Sequence, residues 1–177
     1  LETMYGMAFG EGKMMLRLAR EVHEKHTRVV GRYAESHGRI RAGDRYAANQ
    51  IDLLLWVAAT VVDTSVCTHE ALIEALSDAD KDRLIAEAGD LFGLFGIPRS
   101  RFPQDWAAFR RYFDGVLNSG VLYVNGNSRA LADSVLRSPA PQSVGLFWAL
   151  RRLTGRWLPE SLREPYGLDD GLVARAS

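Results

Sequence analysis

The feature that most constrains the fold is an apolar segment in the first half of the chain, Leu53 to Val62, that has no polar face. The sequence continues to Leu72 without a turn signal, and this length favours a helix over a strand. A helix that is apolar on every side is buried on every side, so we predict a buried central helix. A buried parallel strand is the rival interpretation, because the three valines of this segment favour strands.

Helical periodicity recurs on both sides of this segment and predicts an all-α fold, a single multi-helix domain over 1–177 around the buried apolar central helix. Asn49 is the predicted N-cap of the central helix, and Ser77 caps the next one. Helices are predicted over about 13–33, 49–72, 77–95, 103–120, 128–136 and 143–153, with a polar loop over 36–48, an extended piece over 121–124 and a surface segment from 159.

Charge and cysteine content limit the classes of partner. Lys and Arg number 22 and so do Asp and Glu, so no global positive field exists and we predict no binding of nucleic acid. The single cysteine, Cys67, excludes a disulfide framework and fits a reducing compartment, so a cytoplasmic location is predicted. The apolar run 51–62 is shorter than the about 20 residues of a bilayer span, so we predict no transmembrane segment and at most peripheral membrane contact.

His26 lies at the centre of the apolar stripe of the predicted first helix, where a buried imidazole needs partners for its nitrogens. One interpretation is a core histidine that bonds to a neighbouring helix. The other is a ligand of a metal or of haem iron, or an acid–base group in an apolar pocket. His23, one turn earlier, faces a similar direction, but no cysteine cluster or HExxH pattern supplies the remaining ligands of a zinc site.

Thr60 and Asp63 share one face of the central helix, three residues apart. A carboxylate in such a helix needs a cation or several hydrogen-bond donors, which Arg28, His26 or Arg20 would supply. One interpretation is a structural ion pair that fixes the register of the helices. The other is a carboxylate that holds His26 in one tautomer.

Four short motifs, taken in order, resemble one known family. They are His-Thr-Arg-Val-Val-Gly at 26–31, Leu-Leu-Leu-Trp-Val-Ala-Ala-Thr-Val-Val-Asp at 53–63, Glu87 followed by Leu-Phe-Gly-Ile-Pro at 94–98, and the ending from Trp-Leu-Pro at 157–159 to Tyr-Gly-Leu at 166–168. Their order and spacing resemble the bacterial and fungal family of MpaB-type oxygenases and latex-clearing rubber oxygenases. The resemblance spans about residues 20–168.

This resemblance implies an all-helical fold that holds a b-type haem between helices and oxidises a hydrophobic, unsaturated substrate, for example by cleaving a carbon–carbon double bond. It implies that His26 is the candidate iron ligand. The other candidates that it implies are His23 and Trp56 for haem contact, and Arg28, Thr60 and Asp63 for the catalytic pocket.

The chain departs from the family pattern at Ala58, where the family often has a histidine. The family also usually has a preceding helical segment, and this chain is expected to begin after it. Two alternatives therefore stay open beside the haem oxygenase. One is a non-catalytic helical protein that binds an apolar ligand, and the other is a helical interaction domain that forms a homodimer.

Overall fold

Helices dominate the computed structural model of the chain, which describes residues 12–137 and 143–168. Within these residues the chain forms seven α-helices: α1 (Gly12–Thr27), α2 (Ile51–Leu72), α3 (Asp78–Gly93), α4 (Trp106–Leu117), α5 (Gly126–Val135), α6 (Val144–Trp157) and α7 (Glu160–Tyr166). Two short strands, β1 (Val30–Arg32) and β2 (Arg45–Ala47), lie between α1 and α2, and a single 3-10 turn, Arg99–Arg101, precedes α4. The predicted all-α class is therefore confirmed, with a small sheet added to it.

The chain divides after Val121 into two compact units. The first unit holds α1 to α4 and the two strands, and the second holds α5 to α7. The predicted extended piece, 121–124, spans the boundary and has no regular secondary structure. The prediction of one domain over 1–177 stays a prediction.

The core of the first unit lies where α2, α3 and α4 meet. Its buried side chains are Leu55, Ala58, Ala59 and Val62 of α2, Ile85 and Ala88 of α3, Phe109 and Phe113 of α4, and Ile97 and Phe102 of the connection. A row of aromatic rings crosses this core, with centroids 5.0 Å apart for Trp106 and Phe109, 5.8 Å for Phe109 and Phe113, and 5.2 Å for Phe113 and Trp56. Removal of this apolar surface from water is the main force that holds the three helices together.

The central helix exists and extends to Leu72 as predicted, but the prediction that it is buried on all sides is wrong. Val57 is 59% exposed and Val61 is 43% exposed, because α3 and α4 cover only the side that carries the buried residues. By length and composition alone α2 is apolar enough to cross a membrane, a test that the core helix of a soluble protein also passes. The absence of a transmembrane segment stays a prediction.

The first helix is shorter than predicted, because α1 ends at Thr27 and the chain then turns into a hairpin of β1 and β2. Val30 pairs with Ala47, Gly31 with Tyr46 and Arg32 with Arg45. β-branched residues and glycine both weaken helix here. A Cβ atom at Gly31 would lie 2.8 Å from the ring of Tyr46, so the glycine makes room for that ring. Part of the predicted polar loop is therefore a strand.

The structure tests the two predicted N-cap residues, Ser77 for α3 and Asn49 for α2. The Ser77 hydroxyl accepts a hydrogen bond from the Asp80 amide at 3.2 Å, so the predicted cap of α3 is confirmed. The predicted cap of α2 is wrong, because Gln50 holds the N-cap position. The side chain of Asn49 is drawn away toward α1, where its amide donates to the His23 carbonyl at 3.3 Å.

In the second unit, Arg151 of α6 links the residue that follows α7 to α5 and α6. Its guanidinium donates to the Gly167 carbonyl at 2.7 Å and pairs with Asp133 of α5 at 3.4 Å. Gly155 of α6 allows a close approach, since a Cβ atom there would lie 2.7 Å from the Leu168 carbonyl oxygen. Leu168 is buried. Of the segment predicted to lie on the surface, the described part forms α7, whose residues are exposed or half-buried, and is followed by the buried Leu168; residues 169–177 lie outside the described residues.

Candidate functional site

His26 lies on the inner side of α1, as its place in the apolar stripe predicts. The positions of α1 that are not exposed are Met15, Leu18, Ala19, Val22 and His26. His26 is nevertheless half-buried instead of enclosed, because α1 ends one residue later and the imidazole lies at the end of the stripe, not at its centre. Among the described residues, no hydrogen bond or ion pair engages the ring nitrogens of His26.

The neighbours of His26 in sequence are more exposed. His23 and Arg28 are both exposed, and their recorded hydrogen bonds are made by the backbone. The His23 carbonyl accepts from Asn49, and the Arg28 amide donates to the Lys25 carbonyl at 3.2 Å. The roles given to these two side chains by the resemblance stay predictions.

Asn49 leaves a buried acceptor close to α1. Its Oδ1 atom is buried and has no donor among the described residues, while its amide nitrogen is held by the His23 carbonyl one turn before His26. Buried polar atoms are almost always hydrogen-bonded, so an acceptor of this kind calls for a donor that the described part of the chain does not provide.

The donor set of the described residues does not fit a metal ion held by side chains alone. No three His, Cys, Asp or Glu residues in 12–137 and 143–168 come together in a metal-binding group. Haem is a different case, because the porphyrin supplies four nitrogen ligands and the protein needs to supply only an axial one. Two half-buried imidazoles fit that requirement within 12–137 and 143–168, His26 on α1 and His69 on α2, because the buried Nε2 atom of His69 also has no hydrogen-bond partner there. His26 is the one that belongs to the motif at 26–31.

The structure identifies the cation that Asp63 needs, and it is none of the three predicted candidates. Arg110 of α4 donates to Asp63 at 2.6 Å and to Asp114 at 2.6 Å. The guanidinium also lies 5.1 Å from the centre of the Phe113 ring, within the range of a cation–π contact. Among the described residues, no hydrogen bond or ion pair joins Asp63 to His26. The interpretation of Asp63 as a structural ion pair between helices is therefore the one that these contacts support.

Burial has the largest effect on the pKa of Asp63 in this ion pair. Burial raises the pKa of Asp63 above its ordinary 3.8, while the charge and the hydrogen bond of Arg110 act to lower it. Burial also raises the pKa of the Cys67 thiol, whose sulfur lies 4.0 Å from Asp63 Oδ2. A thiol with a raised pKa stays protonated and is a poor nucleophile. The bond between Asp63 and Arg110 joins α2 to α4, whereas the contact of Cys67 with Asp63 lies within α2.

The other two candidates on α2 have local partners. The Thr60 hydroxyl donates to the Val57 carbonyl at 2.8 Å, and the side chain is half-buried. Trp56 is half-buried and stacks on Phe113 with an interplanar angle of 28°. Glu87, which belongs to the resemblance, is exposed on α3. The structure therefore brings Asp63 and Trp56 to α4 and leaves the role of Thr60 to be tested.

Ala58 occupies a packed position in the core of α2, α3 and α4, with only 1% of its surface exposed. We expect Ala58→His, which restores the residue common in the family, to lower the free energy of unfolding by about 2–4 kcal/mol, because a larger and polar side chain has to enter a filled core. Urea denaturation measures the loss. The matched control, Val57→His at an exposed neighbouring position, should change stability by less than about 0.5 kcal/mol. Equal stability of the two variants would contradict the packing described here.

Sequence reasoning missed Arg110, since the cations considered for Asp63 were Arg28, His26 and Arg20. The signal that identifies Arg110 is its place in the sequence, directly after Phe109 and three positions before Phe113. A carboxylate in an apolar helix requires a partly buried cation, and an arginine among core aromatics is a good match for it.

Comparison with known proteins identifies the family. The family described as ER-bound oxygenase mpaB/B'/Rubber oxygenase, catalytic domain, matches residues 1–177. No curated protein and no solved structure matches the chain. The family match covers the whole chain and agrees with the resemblance of the four sequence motifs. At a coarse level it places the chain among oxygenases, and hence among oxidoreductases. The chain belongs to the family of mpaB and rubber oxygenase catalytic domains.

Proposed function

We propose that this chain is a haem-dependent oxygenase domain in which His26 ligates the iron of haem b and a hydrophobic, unsaturated molecule is the substrate. The observation that carries the proposal is the His26 imidazole, which lies on the inner side of α1 without a protein partner among the described residues. In a family of oxygenase catalytic domains, such an imidazole is a suitable axial ligand.

The surroundings of His26 support this role. An iron-ligating histidine usually donates its other ring N–H to a nearby acceptor, which fixes the tautomer. Asn49 Oδ1 is a buried acceptor without a donor, on a side chain that is anchored to α1 one turn away. We propose that Asn49 orients the His26 ring when haem is bound.

The remaining candidates have supporting roles in the proposal. His23 and Trp56 would contact the haem, and Arg28 and Thr60 would line the substrate pocket. Asp63 would act through Arg110 by fixing α2 against α4, so it is a positioning residue. When bound, haem supplies the iron centre at which dioxygen is activated. The protein supplies the ligand, and apolar walls that exclude water and admit the substrate.

The test is a haem titration of the full chain followed by absorption spectroscopy. We expect a Soret band that saturates at one equivalent of haem, and loss of at least about tenfold in haem affinity for His26→Ala, since second-sphere changes alone cost metal sites 10–100-fold. His37→Ala is the matched control, because it removes a histidine from the loop of the hairpin. We expect His37→Ala to keep the haem affinity of the original chain. If His26→Ala binds haem as tightly as His37→Ala does, His26 is not the ligand.

A second candidate function rests on Ala58. The family often has a histidine at this position, and here a buried alanine fills the core. This substitution favours a non-catalytic protein that binds an apolar molecule without iron. In that case the purified chain would be colourless and would carry an apolar molecule that organic solvent extracts and mass spectrometry detects.

A further inference from the structure

The hairpin between α1 and α2 carries a basic surface that the proposed haem site does not use. Residues 12–50 contain nine Lys or Arg and four Asp or Glu, whereas residues 51–98 contain two Lys or Arg and nine Asp or Glu. The zero net charge of the chain therefore hides a strong asymmetry between consecutive segments. Four arginines lie in residues 30–47, which comprise both strands and the loop that joins them: Arg32, Arg39, Arg41 and Arg45, all exposed.

The register of the hairpin places two of these arginines directly opposite each other. Arg32 of β1 pairs with Arg45 of β2, and both side chains are exposed. Like charges that face each other across an antiparallel pair destabilise the sheet. The Arg32 guanidinium donates to the Gly43 carbonyl of the connecting loop at 2.6 Å, and an anionic partner would offset the positive charge that the two arginines place on one face.

Apolar side chains are exposed beside this pair. Val30 lies two residues before Arg32, hence on the same face of the sheet, and is 58% exposed. Val29, just before the strand, is 48% exposed. The opposite face holds Gly31 and the Tyr46 ring that packs over it. We call the face formed by Val30, Arg32, Arg45 and Ala47 the basic face.

We propose that the basic face docks the protein on the surface of an anionic lipid bilayer. Each arginine near such a surface is attracted to lipid phosphate and carboxylate groups, and guanidinium is well suited to phosphate oxygens. The exposed valines enter the interface between head groups and acyl chains, where they leave water. Nucleic acid would satisfy the arginines but would leave the valines without an apolar environment. The proposal does not depend on haem or on His26.

The test is co-sedimentation of the full chain with vesicles of phosphatidylcholine alone, or of phosphatidylcholine with phosphatidylserine. We expect binding only to the vesicles that contain phosphatidylserine, and weaker binding as salt rises, since added ions screen exposed charges. The double variant Arg32→Gln with Arg45→Gln should lose at least about tenfold in binding. The matched control, Arg83→Gln with Arg111→Gln, removes the same charge from exposed positions elsewhere and should bind like the original chain.

A single substitution separates docking from a purely structural role. Arg45→Glu places opposite charges across the strands and keeps the hydrogen bond from Arg32 to the Gly43 carbonyl, so it should raise the melting temperature of the protein while it reduces vesicle binding. A result in which stability and binding fall together would mean that the basic face is needed for folding, and the proposal would fail. Equal binding to neutral vesicles, unchanged binding of the double glutamine variant, or binding of nucleic acid instead of vesicles would each overturn it as well.

Discussion

Replacing Phe109 by alanine should lower the free energy of unfolding of the first unit by about 3–5 kcal/mol, one of the largest stability losses that a single substitution in this chain is expected to cause. Phe109 is 0% exposed and stacks with Trp106 at 5.0 Å and with Phe113 at 5.8 Å. Its ring lies in the core where α2, α3 and α4 meet. Truncation removes the apolar contacts and leaves a cavity that helices joined by short connections can close only in part.

Urea denaturation and hydrogen exchange measure this loss together. Since the chain has two compact units, hydrogen exchange of the α2, α3 and α4 amides assigns the effect to the first unit. Phe95→Ala is the matched control, because Phe95 is a half-buried phenylalanine near the end of α3 and should cost much less. A loss for Phe109→Ala no greater than that for Phe95→Ala would mean that the core is not centred on α4.

The second large effect is expected for Arg110→Met. This substitution keeps the apolar stem that lies over Phe113 but removes the cation that bonds to Asp63 and Asp114. Asp63, with 18% of its side chain exposed, would then lack its partner. Because Arg110 is itself 36% exposed and solvent screens part of the interaction, we expect a loss of about 1–3 kcal/mol at neutral pH instead of the larger cost of a fully buried pair.

The pH dependence of this loss follows from the raised pKa of Asp63. A carboxyl group whose pKa is higher in the folded than in the unfolded protein favours folding most when it is protonated, below about 3.8, and this contribution is lost as pH rises through the folded-state value. In Arg110→Met the guanidinium no longer lowers the pKa of Asp63, so the pKa of Asp63 in the folded protein rises further. The stability difference from the original chain should therefore be small near pH 4 and should grow toward pH 7.

Denaturation curves at several pH values test this expectation, with Arg111→Met as the control from the exposed neighbouring position. Adding Asp63→Asn to Arg110→Met should recover part of the lost stability at neutral pH, because no unpaired carboxylate remains. A difference that does not vary with pH, or a control that is destabilised equally, would show that Asp63 does not depend on Arg110.

The elements that sequence predicts well are those whose signals are local. The length of α2 follows from an apolar run and from the absence of a turn signal before Leu72, and the start of α3 follows from Ser77, which accepts a hydrogen bond from a nearby amide. The hairpin of β1 and β2 was not predicted, because its stability depends on pairing between Val30 and Ala47 across a loop. Short strands of this kind leave little periodic signal, and the valines before Gly31 also continue the helical stripe of α1.

The site was predictable only in part, for the same reason. The spacing of His26 on α1 indicates the inner side of the helix, and the structure places it there. How deeply the ring is buried depends on where α1 ends, which is a tertiary property. The need of Asp63 for a cation follows from its apolar helix, but the partner lies 47 residues away on α4. Which arginine of the chain pairs with Asp63 depends on how the helices pack.

Haem iron is the centre of the proposed function, and iron analysis with an absorption spectrum of the purified chain tests directly whether the protein holds it. We predict about one iron per chain at saturation and a Soret band from histidine-ligated haem. Colourless protein that takes up no haem and contains no iron, even when haem is supplied, would contradict the account.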